Sequence, residues 1–74
     1  ASMADEADHQ RATVLAALHD FGPMSNDQLD QRLGWRVGTA SRRTAELLKV
    51  GLVRRTDTRV PTRTGRAAFL LEAA

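Results

Sequence analysis

Seventy-four residues make one small domain, and with 12 Ala among the apolar residues only nine Leu, five Val, two Met, two Phe and one Trp remain for a core of about three packed elements. The absence of Cys excludes disulfides, thiolate metal sites and thiol catalysis, while two His and no apolar run approaching the roughly 18 residues of a membrane span leave neither a metal site nor a membrane anchor to expect. The net charge of +2 hides a segregation: residues 1–35 sum to −4 and residues 36–74 to +6, so the second half suits a polyanion.

Ala1-Ser2 ahead of Met3 reads as a remnant of expression, and residues 1–7 are expected to be disordered or tag-derived ahead of a single domain. Asp8 is the expected N-cap of a first helix over 8–21, with Asp5 as an alternative start a turn earlier, Val14, Leu15, Leu18 and Phe21 at helical spacing and Gly22-Pro23 ending it. Ser25 followed by Gln28 forms a capping box, and Met24 with Leu29 a hydrophobic staple, which predicts a short helix over 26–33 closed by Gly34. Trp35 is then placed to fold back over the core.

Thr39 is the expected N-cap of a third helix running to Val50. Gly51 sits at its C′ position, and Leu52 in reach of Leu47 completes a Schellman ending. At 100° per residue, Ala40, Thr44, Leu47, Leu48 and Val37 share one face of this helix. Thr39, Ser41, Arg42, Ala45, Glu46 and Lys49 lie opposite, with Arg43 on the flank. From Leu52 the period changes. Leu52–Thr56 and Arg59–Thr62 read as two short strands around an Asp57-Thr58 turn, Pro61 limiting the second to an edge, and Thr64 caps a final short helix over 65–72. The fold expected is mainly α with a small β-hairpin: a winged helix-turn-helix with a three-helix core, a two-stranded wing and a short C-terminal helix.

Three stretches carry a family resemblance. They are Ser25-Asn-Asp-Gln-Leu-Asp-Gln-Arg-Leu33-Gly34, Gly38-Thr-Ala-Ser-Arg-Arg-Thr-Ala-Glu-Leu-Leu-Lys-Val-Gly51-Leu-Val53, and Thr62-Arg-Thr-Gly65-Arg-Ala67. Together they resemble MarR-type and related bacterial or phage winged-helix regulators over Met24–Ala67. The resemblance implies that the third helix enters the major groove of double-stranded DNA and that the wing lies on backbone or minor groove. The long flanking helices through which such regulators dimerise have no counterpart in these residues, so a dimer is not carried over.

The chemistry of the residues agrees. Short polar and Arg side chains near a helix N-terminus read base edges in a major groove, and Arg42 is the first candidate because bidentate Arg to guanine is the commonest specific contact. Thr39 and Ser41 suit phosphates at the positive helix end, and Arg36 in the turn and Arg43 on the flank add further phosphate contacts. Glu46 shares the outward face and joins the set. Arg55 and Arg59, near the expected wing tip, would track the adjacent backbone or enter a narrow minor groove.

Each assignment has an ordinary counterpart. Arg42 and Glu46 at i, i+4 also fit a surface ion pair. Arg54, Arg55 and Arg59 also fit protection of a strand edge, and His9 and His19 read as solvated helix-surface residues. Sequence-selective DNA binding with transcription regulation as its consequence is the leading expectation, in a cytoplasmic protein that joins the nucleoid when bound to DNA. The alternative is a winged helix used as a protein-interaction module, such as a phage-encoded modulator of a host protein, with a partner on the acidic first helix; a homodimer on DNA stays open. No nucleophile–base set, phosphate loop or metal-ligand cluster appears, so neither an enzyme nor a cofactor is expected.

Overall fold

A computed structural model describes residues 3–63 and 65–74. The chain runs through α1 (Met3–Phe21), α2 (Asn26–Leu33), α3 (Thr39–Lys49), β1 (Val53–Pro61) and β2 (Ala67–Ala73). The first helix begins at Met3 rather than after Asp8, so residues 3–7 belong to it. Val14, Ala17 and Leu18 form its buried stripe, whereas Phe21 is 58% exposed, with the Arg32 guanidinium 4.2 Å from its ring centre. Ala17 thus takes an inward position and Phe21, despite its helical spacing from Leu18, does not. Gly22 then leaves the helix at φ +85°, and the chain turns back.

The α2 entry follows its local code. Gln28 N–H donates to Ser25 Oγ (3.1 Å) and Ser25 N–H to Gln28 Oε1 (3.0 Å), the reciprocal capping box. At the other end Trp35 N–H donates to Asp30 O (2.8 Å) past Gly34, which is left-handed at φ +69°. Trp35 packs on the core, as its position after the helix-ending Gly predicts.

One cluster of apolar side chains joins every element: Val14, Ala17, Leu18, Met24, Leu29, Ala40, Leu47, Val53 and Leu71. Two buried polar groups fix how the helices cross. Thr44 Oγ1 on α3 donates to Asn26 Oδ1 on α2 (2.6 Å). Asp30, only 2% exposed, is the second, and it belongs to the functional site below.

The C-terminal third departs from the expected elements. The two strands pair antiparallel from Val53↔Ala73 to Pro61↔Ala67, so residues 67–73 are a strand and the expected C-terminal helix is absent. Ala, Leu and Glu favour a helix locally, but here tertiary pairing decides. Leu71 exchanges both backbone hydrogen bonds with Met24 (2.8 and 3.0 Å), a third short pairing beside the hairpin, and its side chain is buried there. The helix cap assigned to Thr64 lies outside the described residues.

The expected turn at Asp57-Thr58 is a bulge within β1. The register moves from Arg55↔Leu71 to Arg59↔Phe69 across it. Thr56 Oγ1 donates to Leu70 O (2.9 Å) and accepts from Thr58 N–H (3.2 Å), so a side chain replaces the interrupted ladder. The true turn lies at 62–66, closed by Thr62 N–H to Arg66 O (2.8 Å) and Gly65 N–H to Thr62 O (3.0 Å). Among the described residues the result is three helices and a two-stranded wing.

Candidate nucleic-acid interface

The N-terminus of α3 is built from outside the helix. Its N-cap is Gly38 at φ +96°, not Thr39, and Gly38 has no side chain with which to cap. Asp30 of α2 does that work: Gly38 N–H donates to its Oδ2 (2.9 Å) and Ala40 N–H to its Oδ1 (2.8 Å). A buried carboxylate is stable here because two backbone donors and the positive helix end compensate its desolvation. The bond also fixes the turn between α2 and α3, and with it the direction in which α3 faces solvent.

That outer face carries Ser41, Arg42, Ala45 and Lys49, all exposed. Ser41 Oγ donates to Gly38 O (3.1 Å), which leaves its lone pairs but not its proton for a ligand. Thr39 is half-buried, and Arg36 projects from the preceding turn into solvent. Arg36, Thr39, Arg42 and Arg43 line one side of an open groove of about 440 Å³, whose far side is Glu6, Ala7 and Gln10 of α1.

Glu46 is engaged by Arg11 of α1, and Arg43 lies beside Glu46 on the same side of α3. Glu46 Oε1 accepts from Arg11 Nη1 (3.0 Å) and lies 3.3 Å from Arg43 Nε, close enough for an ion pair but not aligned for a hydrogen bond. Arg11 also pairs with Asp8, and Glu46 and then Asp8 push its guanidinium further toward the charged form. Arg42 and Glu46 form no ion pair among the described residues. The surface-pair reading therefore applies to Glu46 with α1, while Arg42 stays uncommitted.

The wing positions its cations differently from the sequence expectation. Arg55 and Arg59 are not at a tip but in mid-strand on either side of the bulge, and both guanidiniums stack over Phe69, 4.7 and 5.5 Å from its ring centre. Stacking leaves in-plane N–H donors available while limiting the rotamers of each side chain. The turn itself carries Arg63 and Arg66. Arg63 is tied to α2: its Nε donates to Asp27 Oδ1 (2.6 Å) and its backbone N–H to Oδ2 (3.1 Å). Arg54 pairs with Glu72 at 3.3 Å.

Burial pushes the Asp27 carboxyl up, but the hydrogen bonds and charge of Arg63, with help from Gln31, outweigh this and hold it below the ordinary carboxylate range. A carboxylate depressed on folding contributes stability at every pH above its unfolded value and loses it as pH falls through the folded one. The turn is therefore expected to stay tied to α2 throughout neutral pH and to release only in acid, below the ordinary carboxylate range. The Arg63 amide resonance should titrate with that low midpoint; a midpoint at or above the ordinary Asp value would show that the contact does not form in solution.

The sequence reading placed Lys49 on the outer face without giving it a contact, and it missed Arg63 and Arg66 in the true turn and the supporting carboxylates Asp30 and Asp27. Gly65 between two Arg was the available sign of a basic turn. Among the described residues, Arg36, Arg42, Lys49, Arg55, Arg59 and Arg66 have no carboxylate partner, whereas Arg43, Arg54 and Arg63 do. No group of His, Asp and Glu among the described residues could hold a metal ion, and no described helix is long and apolar enough to cross a membrane.

Three helices, a turn fixed between the second and third, and a basic antiparallel hairpin define a winged helix-turn-helix. Residues 8–59 match the MarR family, and the chain belongs to that family. The MarR family is a winged-helix DNA-binding family of transcription regulators, not enzymes, whose members commonly bind DNA as dimers. Comparison with curated proteins and with solved structures gave no match.

Proposed function

We propose that this chain binds double-stranded DNA sequence-selectively and regulates transcription, with α3 in the major groove and the wing on backbone or minor groove. The observation that supports it is a group of six cations without carboxylate partners on α3, the turn before it and the wing, while Arg32, the other described cation without one, stacks on Phe21 of α1. Uncompensated cations on a small domain are what counterion release from DNA requires. Arg42 is the base-reading residue. Arg36, Thr39, Ser41 and Lys49 meet phosphates, and Arg55 and Arg59 hold the neighbouring backbone from their Phe69 platform. Arg43 and Glu46 orient α3 against α1.

Arg55→Ala is expected to weaken binding to all duplexes alike and to make the dependence of log K on log salt shallower by about one. A titration at several salt concentrations measures both, and an unaltered slope would remove the wing from the contact surface.

A second reading has its own observation. Val50 and Leu52 are 67% and 51% exposed beside an apolar groove lined by Ala12, Leu15 and Leu47. That surface suits a protein partner or a second copy of the chain rather than DNA. A chain that binds no duplex at low salt would favour it.

A further inference from the structure

The contact between the wing turn and α2 has a geometry that a surface ion pair does not need. Asp27 sits in the first turn of α2 with its side chain only 15% exposed, and Arg63 lies 36 positions further along the chain. The carboxylate takes two donors from the same residue, one from the backbone and one from Nε. Gln31 Nε2 donates to the same carboxylate (3.0 Å), so its orientation is set from within α2. The backbone bond fixes the turn, and the Nε bond fixes the plane of the guanidinium. Both Nη groups are left without a partner among the described residues, on a side chain that is 45% exposed.

A guanidinium held through Nε by a carboxylate behind it presents its Nη donors as a fixed edge, the part of Arg that grips a phosphate. Flexible surface Arg must lose rotamer entropy when it takes up a phosphate; here the protein has already paid most of that cost. We propose that Asp27 is a positioning residue for DNA binding, holding Arg63 and the wing turn so that the Arg63 Nη edge receives a backbone phosphate. The inference rests on the DNA-binding reading above and adds a contact outside the third helix. It also gives α2 a role in placing the wing, since the carboxylate that holds the turn stands between Ser25 and Gln28, the two residues of the capping box that starts α2.

The test is a fluorescence-anisotropy titration of the full chain against a labelled random-sequence duplex at several salt concentrations. The variants are Arg63→Ala, Asp27→Asn, the double variant and Arg42→Ala. Arg63→Ala is expected to weaken binding several-fold and to make the salt slope shallower by about one. Asp27→Asn, which removes no cation, is expected to weaken binding in the same direction by a smaller factor, and the double variant to match Arg63→Ala alone. A gain of affinity in Asp27→Asn would overturn the proposal by showing that the carboxylate competes with DNA for Arg63. Losses that add in the double variant would overturn it too, since the two residues would then act separately. Should Asp27→Asn fail to fold, Arg63→Ala carries the test: a wild-type salt slope in that variant means that no phosphate is met there. If wild type binds and Arg42→Ala weakens it while Arg63→Ala and Asp27→Asn do not, this proposal falls and the DNA-binding reading stands. If wild type binds no duplex, both fall.

Discussion

Asp30→Ala is expected to lower the unfolding free energy by about 2–4 kcal/mol, because it strips two charge-assisted hydrogen bonds from the start of α3 and leaves the Gly38 and Ala40 N–H groups unpaired. An ordinary cap lost to Ala costs about 1 kcal/mol. The larger figure here follows from burial: Asp30 is 2% exposed, so water cannot readily take the place of the carboxylate. Gly38 contributes no side chain to soften the loss. Asp30→Asn, which keeps one acceptor oxygen, should fall between the two. Denaturant unfolding monitored by Trp35 fluorescence measures each value. A change within about 0.5 kcal/mol for Asp30→Ala, the range of a neutral surface substitution, would mean that α3 holds its own N-terminus.

Arg42→Ala is expected to cost specific binding about 1–3 kcal/mol and to relax preference at one base pair, with little change in stability. Arg42 is exposed and makes no ion pair among the described residues, so nothing in the fold depends on it. Arg43→Ala should behave in the opposite way. Its side chain is 15% exposed and sits against Glu46, so its removal is expected to disturb the packing of α3 on α1 rather than a base preference. Selection of bound sequences with each variant separates the two. An unchanged preference in Arg42→Ala would take that residue out of the reading set.

The features legible in the sequence are those whose partners lie within five residues of each other. Ser25 and Gln28 announced the start of α2, and Gly34 its end. The Leu52 N–H to Leu47 O bond (3.0 Å) closes α3 as Gly51 indicated. Contacts across greater separations were not legible. Thr39 looked like a cap because nothing local shows that Asp30 reaches the N–H groups of Gly38 and Ala40 on either side of it. Residues 67–73 carry helix-favouring Ala and Leu, and only the alternation of Phe69, Leu71 and Ala73 hinted at the strand that Met24 and β1 impose. Moving that strand moved the turn, and with it the identity of the wing-tip cations from Arg55 and Arg59 to Arg63 and Arg66.

Ser41, Arg42, Ala45, Glu46 and Lys49 of α3 are exposed as the periodicity predicts, but the periodicity does not announce a contact from a neighbouring helix. Arg42 faces solvent because it stands opposite Ala40, Thr44 and Leu47, all buried. Glu46 is on the same solvent side of the helical wheel, yet Arg11 reaches across from α1 to hold it. Periodicity describes a helix against one core direction; it carries no information about a charged residue on a second helix.

On the proposed reading, the cations of α3, its turn and the wing that lack carboxylate partners read duplex DNA. The most direct test is a binding titration against a random duplex pool at two salt concentrations, with sequencing of the bound fraction. An enriched motif whose binding weakens steeply with salt is the predicted result, and a palindromic motif would add that two copies bind together. Absence of binding even at low salt would contradict the account and move the function to the apolar surface around Val50 and Leu52.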